Sequence, residues 1–157
     1  MLSTYIYVDR KASESELVSA FAGAFALGGD QVAVIGEEDY EALGDAWSHS
    51  RTQVVLRYSV IPGDFPLSLL LHTRDDRPND FLSVVRFAAR QLNASILTDE
   101  IEAQYDDDWL LVAPSGATAI VRENVDDLDG DDSAIALIPE SRAIYDSLVH
   151  HPLAATQ

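Results

Sequence analysis

The residues of this chain best suited to chemistry are carboxylates set side by side. Asp106, Asp107 and Asp108 are consecutive, and a second run, VDDLDGDD, places Asp126, Asp127, Asp129, Asp131 and Asp132 around Gly130. Acids at this density suit two chemistries, cation binding and general acid–base hydrolysis. A helix–loop–helix calcium site takes ligands at positions 1, 3 and 5, glycine at 6 and a bidentate glutamate at 12. With Gly130 at the sixth position, Asp127 and Asp129 fall correctly, but Val125 takes the first place and Ala136 the last. The loop therefore lacks its first ligand and its bidentate one. Glycoside hydrolysis fixes two carboxyls across a cleft, roughly 5–9.5 Å apart. Adjacent acids in an extended strand point to opposite faces instead.

The remaining chemical groups are sparse. His49 lies between Ser48 and Ser50, with no acid at a spacing diagnostic of a nucleophile–base pair. His72, His150 and His151 complete the histidines and form no HExxH or H-x-H pattern. There is no cysteine, which excludes a thiolate nucleophile, a disulfide and a zinc–thiolate site. GGDQVAVIGEE carries glycines but neither GxGxxG nor GKT, so no phosphate cradle is expected. The expectation is a protein that is not an enzyme, with no catalytic residue, metal or cofactor.

What the carboxylates can do is select a partner. Asp and Glu number 27 against 10 Lys and Arg, for a net charge of −17. Phosphate contacts need basic side chains, so nucleic acid is disfavoured. A basic protein is favoured, because complementary potential steers encounter and raises the on-rate. Tyr105 and Trp109 bracket the first acidic run, and aromatic residues anchor interfaces while acids discriminate between partners. The expected partner-binding residues are Tyr105, Asp106, Asp107, Asp108, Asp126, Asp127, Asp129, Asp131 and Asp132. Solubility is the competing explanation of the charge, and a place in the core is the competing explanation of Trp109.

The elements that would position these groups follow from periodicity and turn residues. Thr4–Val8 is β-branched and aromatic and reads as a strand. Ser13 with Glu16 makes a capping box, after which Leu17, Phe21, Ala24 and Phe25 recur at helical spacing up to a stop at Gly28-Gly29. Gln31–Ile35 reads as a strand and Gly36–Trp47 as a short surface helix. Thr52–Ile61 and Pro66–Thr73 read as strands joined at Pro62-Gly63. Their alternation sets Val55, Arg57 and Ser59 on one face and Val54, Leu56, Tyr58 and Val60 on the other. Phe81–Leu92 carries the strongest apolar stripe, capped by Asn79 or Asp80 and stopped at Asn93. Arg86 and Arg90 lie on its solvated side. A short strand, Ala94–Thr98, leads to WLLVAPSGATAIV, two strands around a Pro-Ser-Gly turn with acids at both ends. Ser133–Ile138 reads as a last strand and Pro139–Val149 as a last helix.

The length suits one domain, and hydrophobic residues at 47% with charged residues at 24% are ordinary for a globular chain. The expected fold class is α+β: a single layer of antiparallel or mixed sheet, about 5–7 strands, with the Ser13–Leu27 and Phe81–Leu92 helices packed on one face. Residues 1–150 are expected to form that domain and 151–157 a flexible tail. The opening MLSTYIYVDRK lacks the apolar length of a signal peptide and no run reaches a membrane span, so a cytoplasmic protein without membrane contact is expected.

The stretch FLSVVRFAARQLNASILTDEIEAQYDDDWLLVAPSGATAIVREN resembles the small bacterial immunity proteins encoded beside secreted polymorphic toxins. Such proteins often run from a packing helix through a short strand and an acidic segment to a hairpin with a glycine turn and further acids. The resemblance covers about the middle third of the chain and carries no invariant motif. It implies tight, non-catalytic binding of a cognate toxin, often over a basic active site, and brings no functional residues with it. Two other readings remain open: an adaptor or chaperone for a secreted effector, and a small ligand-binding or enzymatic domain with a pocket on its sheet.

Overall fold

Side-chain alternation along one strand divides the molecule into two cores. In Leu2–Val8 (β1), Ile6 and Val8 are fully buried on one face of a sheet, while Tyr7 turns to the opposite face. The computed structural model describes residues 2–75, 80–99, 107–124 and 135–150. Over these residues the fold is α+β, a seven-stranded mixed sheet with four helices. The strands are β1, Val32–Gly36 (β2), Val54–Val60 (β3), Leu67–Thr73 (β4), Ile96–Thr98 (β5), Asp108–Val112 (β6) and Thr118–Arg122 (β7). Their order is β2-β3-β4-β1-β5-β6-β7, with β2 and β3 parallel and every other pair antiparallel.

The first face is covered by two amphipathic helices, Glu14–Ala24 (α1) and Phe81–Leu92 (α3). Leu17, Ala20 and Phe21 of α1 and Phe81, Val84, Val85, Ala88, Ala89 and Leu92 of α3 share a core with Leu56, Leu69, Leu71, Ile96 and Val112 of the sheet. Burial of such side chains is the main term holding the layers together, about 1.5–3 kcal/mol for each fully buried large residue. Besides these two, the helices read at Gly36–Trp47 and Pro139–Val149 are both present. They span Tyr40–Ser48 (α2) and Pro139–His150 (α4). On the second face a smaller core gathers Leu97, Leu111, Val121, Ile135 and Leu137, and Tyr145 and Leu148 of α4 pack against it. The sheet is thus covered from both sides, because α4 has an apolar stripe of its own to bury.

Local signals explain most boundaries. Ser13 caps α1: its hydroxyl accepts from the Glu16 amide at 3.2 Å, and Glu16 Oε1 accepts from the Ser13 amide at 3.3 Å. Asp80 caps α3 by accepting from the Ser83 amide, and Asn93 at φ +48 ends it in the left-handed region. The end of α1 differs from the sequence expectation. The left-handed residue is Ala26, at φ +56, and not Gly28 or Gly29. Leu27 N–H donates to the Ala22 carbonyl and Ala26 N–H to that of Gly23, which closes the helix two residues before the glycines. The expected last strand is also reduced. Ile135 and Leu137 make single bridges, to Gly63 and Glu123, and no ladder forms among the described residues of that segment.

The turn Pro62–Asp64 holds that segment in place. Gly63 has φ +107, and a Cβ there would collide with the Ile135 carbonyl. Asp64 N–H donates to that same carbonyl at 2.7 Å, and the Asp64 carboxylate accepts from the Leu137 amide and from Arg142 Nη1 of α4. One tight turn therefore secures the connection between β7 and α4.

Candidate functional site

The hairpin β6–β7 sets its acids by register. Asp108 stands directly opposite Arg122, and Arg122 Nε donates to Asp108 Oδ1 at 3.0 Å, with Asp107 Oδ1 at 3.8 Å. Asp108 is 8% exposed. Its carboxylate is buried against the guanidinium, whereas that of Asp107, just before the strand, reaches the same guanidinium from farther off and is more open. Tyr105, Asp106, Asp126, Asp127, Asp129, Asp131 and Asp132 lie outside the described residues, as does most of the calcium-like loop.

Asp107 belongs to a feature that the sequence does not announce. On the second face Tyr5, Tyr7 and Trp109 form an aromatic row. Tyr5 and Tyr7 stack at 6.3 Å between ring centres, and Trp109 meets Tyr7 edge-on at 5.3 Å. Carboxylates border the row. Glu123 accepts from Trp109 Nε1 at 3.4 Å, and Glu37 accepts from the Tyr5 hydroxyl at 3.3 Å. The Glu123 amide in turn donates to the Asp107 carbonyl.

The electrostatics of the row are those of a negative surface. Burial pushes the Tyr7 phenol up to about 12, and Glu123, Tyr5, Glu37 and Asp99 all push in the same direction. Burial also raises Tyr5, with Glu37 adding to it. Glu123 is held above the usual carboxylate range by burial and by Asp107, against the opposing Trp109 hydrogen bond. Several acids thus share one partly desolvated strip, where an incoming cation gains more than it would in open water.

Strand register explains why the row stays hidden in sequence. Alternation alone puts Tyr5 and Tyr7 on one face. Trp109 reaches them only because β1 pairs with β5 and β5 with β6, which sets Tyr7, Leu97 and Leu111 in one row across three strands. Glu37 arrives from the far side of the sheet, at the end of β2.

The histidine readings resolve into structural contacts. The Ser48 hydroxyl donates to the Asp45 carbonyl, closing the end of α2. The close serine–histidine contact is instead Ser3 Oγ with His72 Nδ1, at 2.7 Å. His72 Nε2 is buried without a partner, so no carboxylate stands behind the ring as a triad needs. Among the described residues no three acids or histidines converge in a way that could hold a metal ion. No helix among them is long and apolar enough to cross a membrane. An open groove runs along α1, lined by Val18, Ala22, Gly23 and Leu27 with Glu14 and Ser15 at its rim. Compared with family models, curated proteins and solved structures, the chain has no match.

Proposed function

We propose that this chain is a non-catalytic immunity protein, which binds a cognate secreted bacterial toxin in the cytoplasm and neutralises it by covering a basic face. The observation that carries this reading is the row Tyr5–Tyr7–Trp109 bordered by Glu37 and Glu123, with Asp107 acting on Glu123. Large aromatic rings supply contact area at small entropic cost, and the carboxylates select arginine or lysine on the partner. The net charge of −17 draws a cationic partner in before contact. Asp106 and the Asp126–Asp132 run add to the negative charge in this reading. Asp108 serves it indirectly, by fixing Arg122 and the base of the hairpin.

The test is co-expression with the toxic product of the adjacent gene. Wild type restores growth, and the triple variant E37Q/D107N/E123Q restores it less. The association rate of the purified pair falls steeply with added salt. A partner that keeps its full toxic activity while bound would make the chain an adaptor. Absence of any salt-sensitive complex with that product would end the reading.

A further inference from the structure

Arg57 places a guanidinium inside an acidic protein without a carboxylate partner among the described residues. The residue lies on β3, between Ile35 of β2 and Leu70 of β4, and is 9% exposed. Nη2 donates to the backbone carbonyl of Glu37. Nε is sealed from solvent and donates to nothing. Nη1 has no hydrogen bond with any described residue, and Arg57 forms no ion pair among them. The Glu37 carboxylate is directed to the Tyr5 hydroxyl instead. A buried charge is expensive unless it is paired and its donors are satisfied. In a chain with 27 acidic residues, pairing it internally would need no unusual residue, so the open donors point to an anion from outside.

The surroundings describe that anion. The ring of Tyr40 lies over the guanidinium, 5.2 Å from Cζ, and Tyr40 is itself 72% exposed. It covers Arg57 from the solvent side while sitting at the exposed start of α2, so rotation of one side chain uncovers the cation. The register puts Tyr5 next to Leu70 and Leu70 next to Arg57. One strand over, His72 Nε2 is a second sealed nitrogen without a partner. Burial and the nearby Arg57 both hold His72 below the usual histidine range, which keeps the ring neutral beside the guanidinium.

We propose that Arg57 is the floor of a binding site for a small monocarboxylate with an apolar body. The carboxylate pairs with the open edge of the guanidinium, whose planar donors match it two-to-two. The body lies against Leu70 and the rings of Tyr5 and Tyr40. A single negative charge is required: Glu37 stands at the rim, and the net charge of −17 opposes a phosphate or a dicarboxylate. This site does not depend on the partner-binding reading, because it needs no second protein.

The test uses the full-length protein alone with benzoate as the probe, followed through the Arg57 Nε–Hε NMR resonance. The expected result is a saturable 1:1 shift of that resonance together with the Tyr40 ring signals. R57K keeps the charge but loses the fork, and should weaken binding by roughly 10-fold; R57Q should weaken it by roughly 100-fold. R90Q, on the exposed side of α3, should leave it unchanged. If R57Q fails to fold, R57K and the wild-type resonance decide. The proposal is overturned if Arg57 Nε–Hε does not respond to benzoate in the folded protein. It is equally overturned if R57K binds as wild type does, or if inorganic phosphate binds more tightly than benzoate.

Discussion

Replacing Asp108 by asparagine tests whether a structural acid stands beside a recognition acid within one tripeptide. The side chain keeps its shape and an acceptor oxygen but loses its charge. The Asp108 side chain is 7% exposed and that of Arg122 is 38% exposed. Breaking a fully buried ion pair costs about 3–5 kcal/mol, and breaking an exposed one about 0.2–1 kcal/mol. Arg122 is open enough for solvent to screen it, and Asp107 at 3.8 Å takes over part of the interaction. The expected loss is therefore about 1–2 kcal/mol, a fall in Tm of roughly 2–8 °C for a domain of this size. Thermal melts of D108N and D107N at low and high salt measure it. D108N should lose stability at both salt concentrations while leaving the association rate with a basic partner within about 2-fold of wild type. D107N should do the reverse. A D108N protein that melts like wild type and associates slowly would refute the assignment, since it would make Asp108 a recognition residue held in place by something other than Arg122.

Three further outcomes follow from the same geometry. A26G should stabilise the protein by about 0.5–1 kcal/mol in a denaturant titration, because alanine at φ +56 bears a cost that glycine does not. E123Q should raise Tm at pH 7 and leave it unchanged near pH 4. The folded carboxyl is held above its ordinary value, so its contribution to stability is complete at low pH and lost as pH rises through the folded value. His72 shows the opposite sign. Its folded value lies below that of the unfolded chain, so stability is complete above the ordinary histidine range, about 6.5, and is lost as pH falls beneath it. H72Q should flatten the slope of Tm against pH in that acid window.

Local signals were legible where one segment determines its own outcome. The capping box at Ser13, the stripe of α3, the stop at Asn93 and the turn before Gly116 are each read from a few neighbouring residues, and the structure has all four. The α1 terminus was not legible, because the backbone hydrogen bonds of Ala26 and Leu27 close the helix on an alanine in a conformation that composition assigns to glycine. The second core was hidden for a related reason. Leu97 and Leu111 alternate with Ile96, Leu110 and Val112 of the first core, so a strand buried on both faces reads simply as an apolar run. The candidate surface was only partly legible. Asp107 and Trp109 stood out by type, but Tyr5, Tyr7, Glu37 and Glu123 join them through strand order, which sequence does not encode locally. Arg57 was visible as a residue on one face of β3, and only the structure shows that it has no counter-charge among the described residues.

The position of β1 has a consequence for how the chain reaches its native state. This strand lies between β4 and β5, so both of its edges stay open until Leu67–Thr73 and Ile96–Thr98 have been synthesised and folded back. Pairings this distant incur their loop-closure entropy early, which places folding on the slow side, roughly milliseconds to seconds. During synthesis the segment TYIYV, apolar and free of charge, emerges with neither neighbour to pair with. Such a segment is open to self-association until its partners arrive, and a charge introduced at Tyr5 would oppose that.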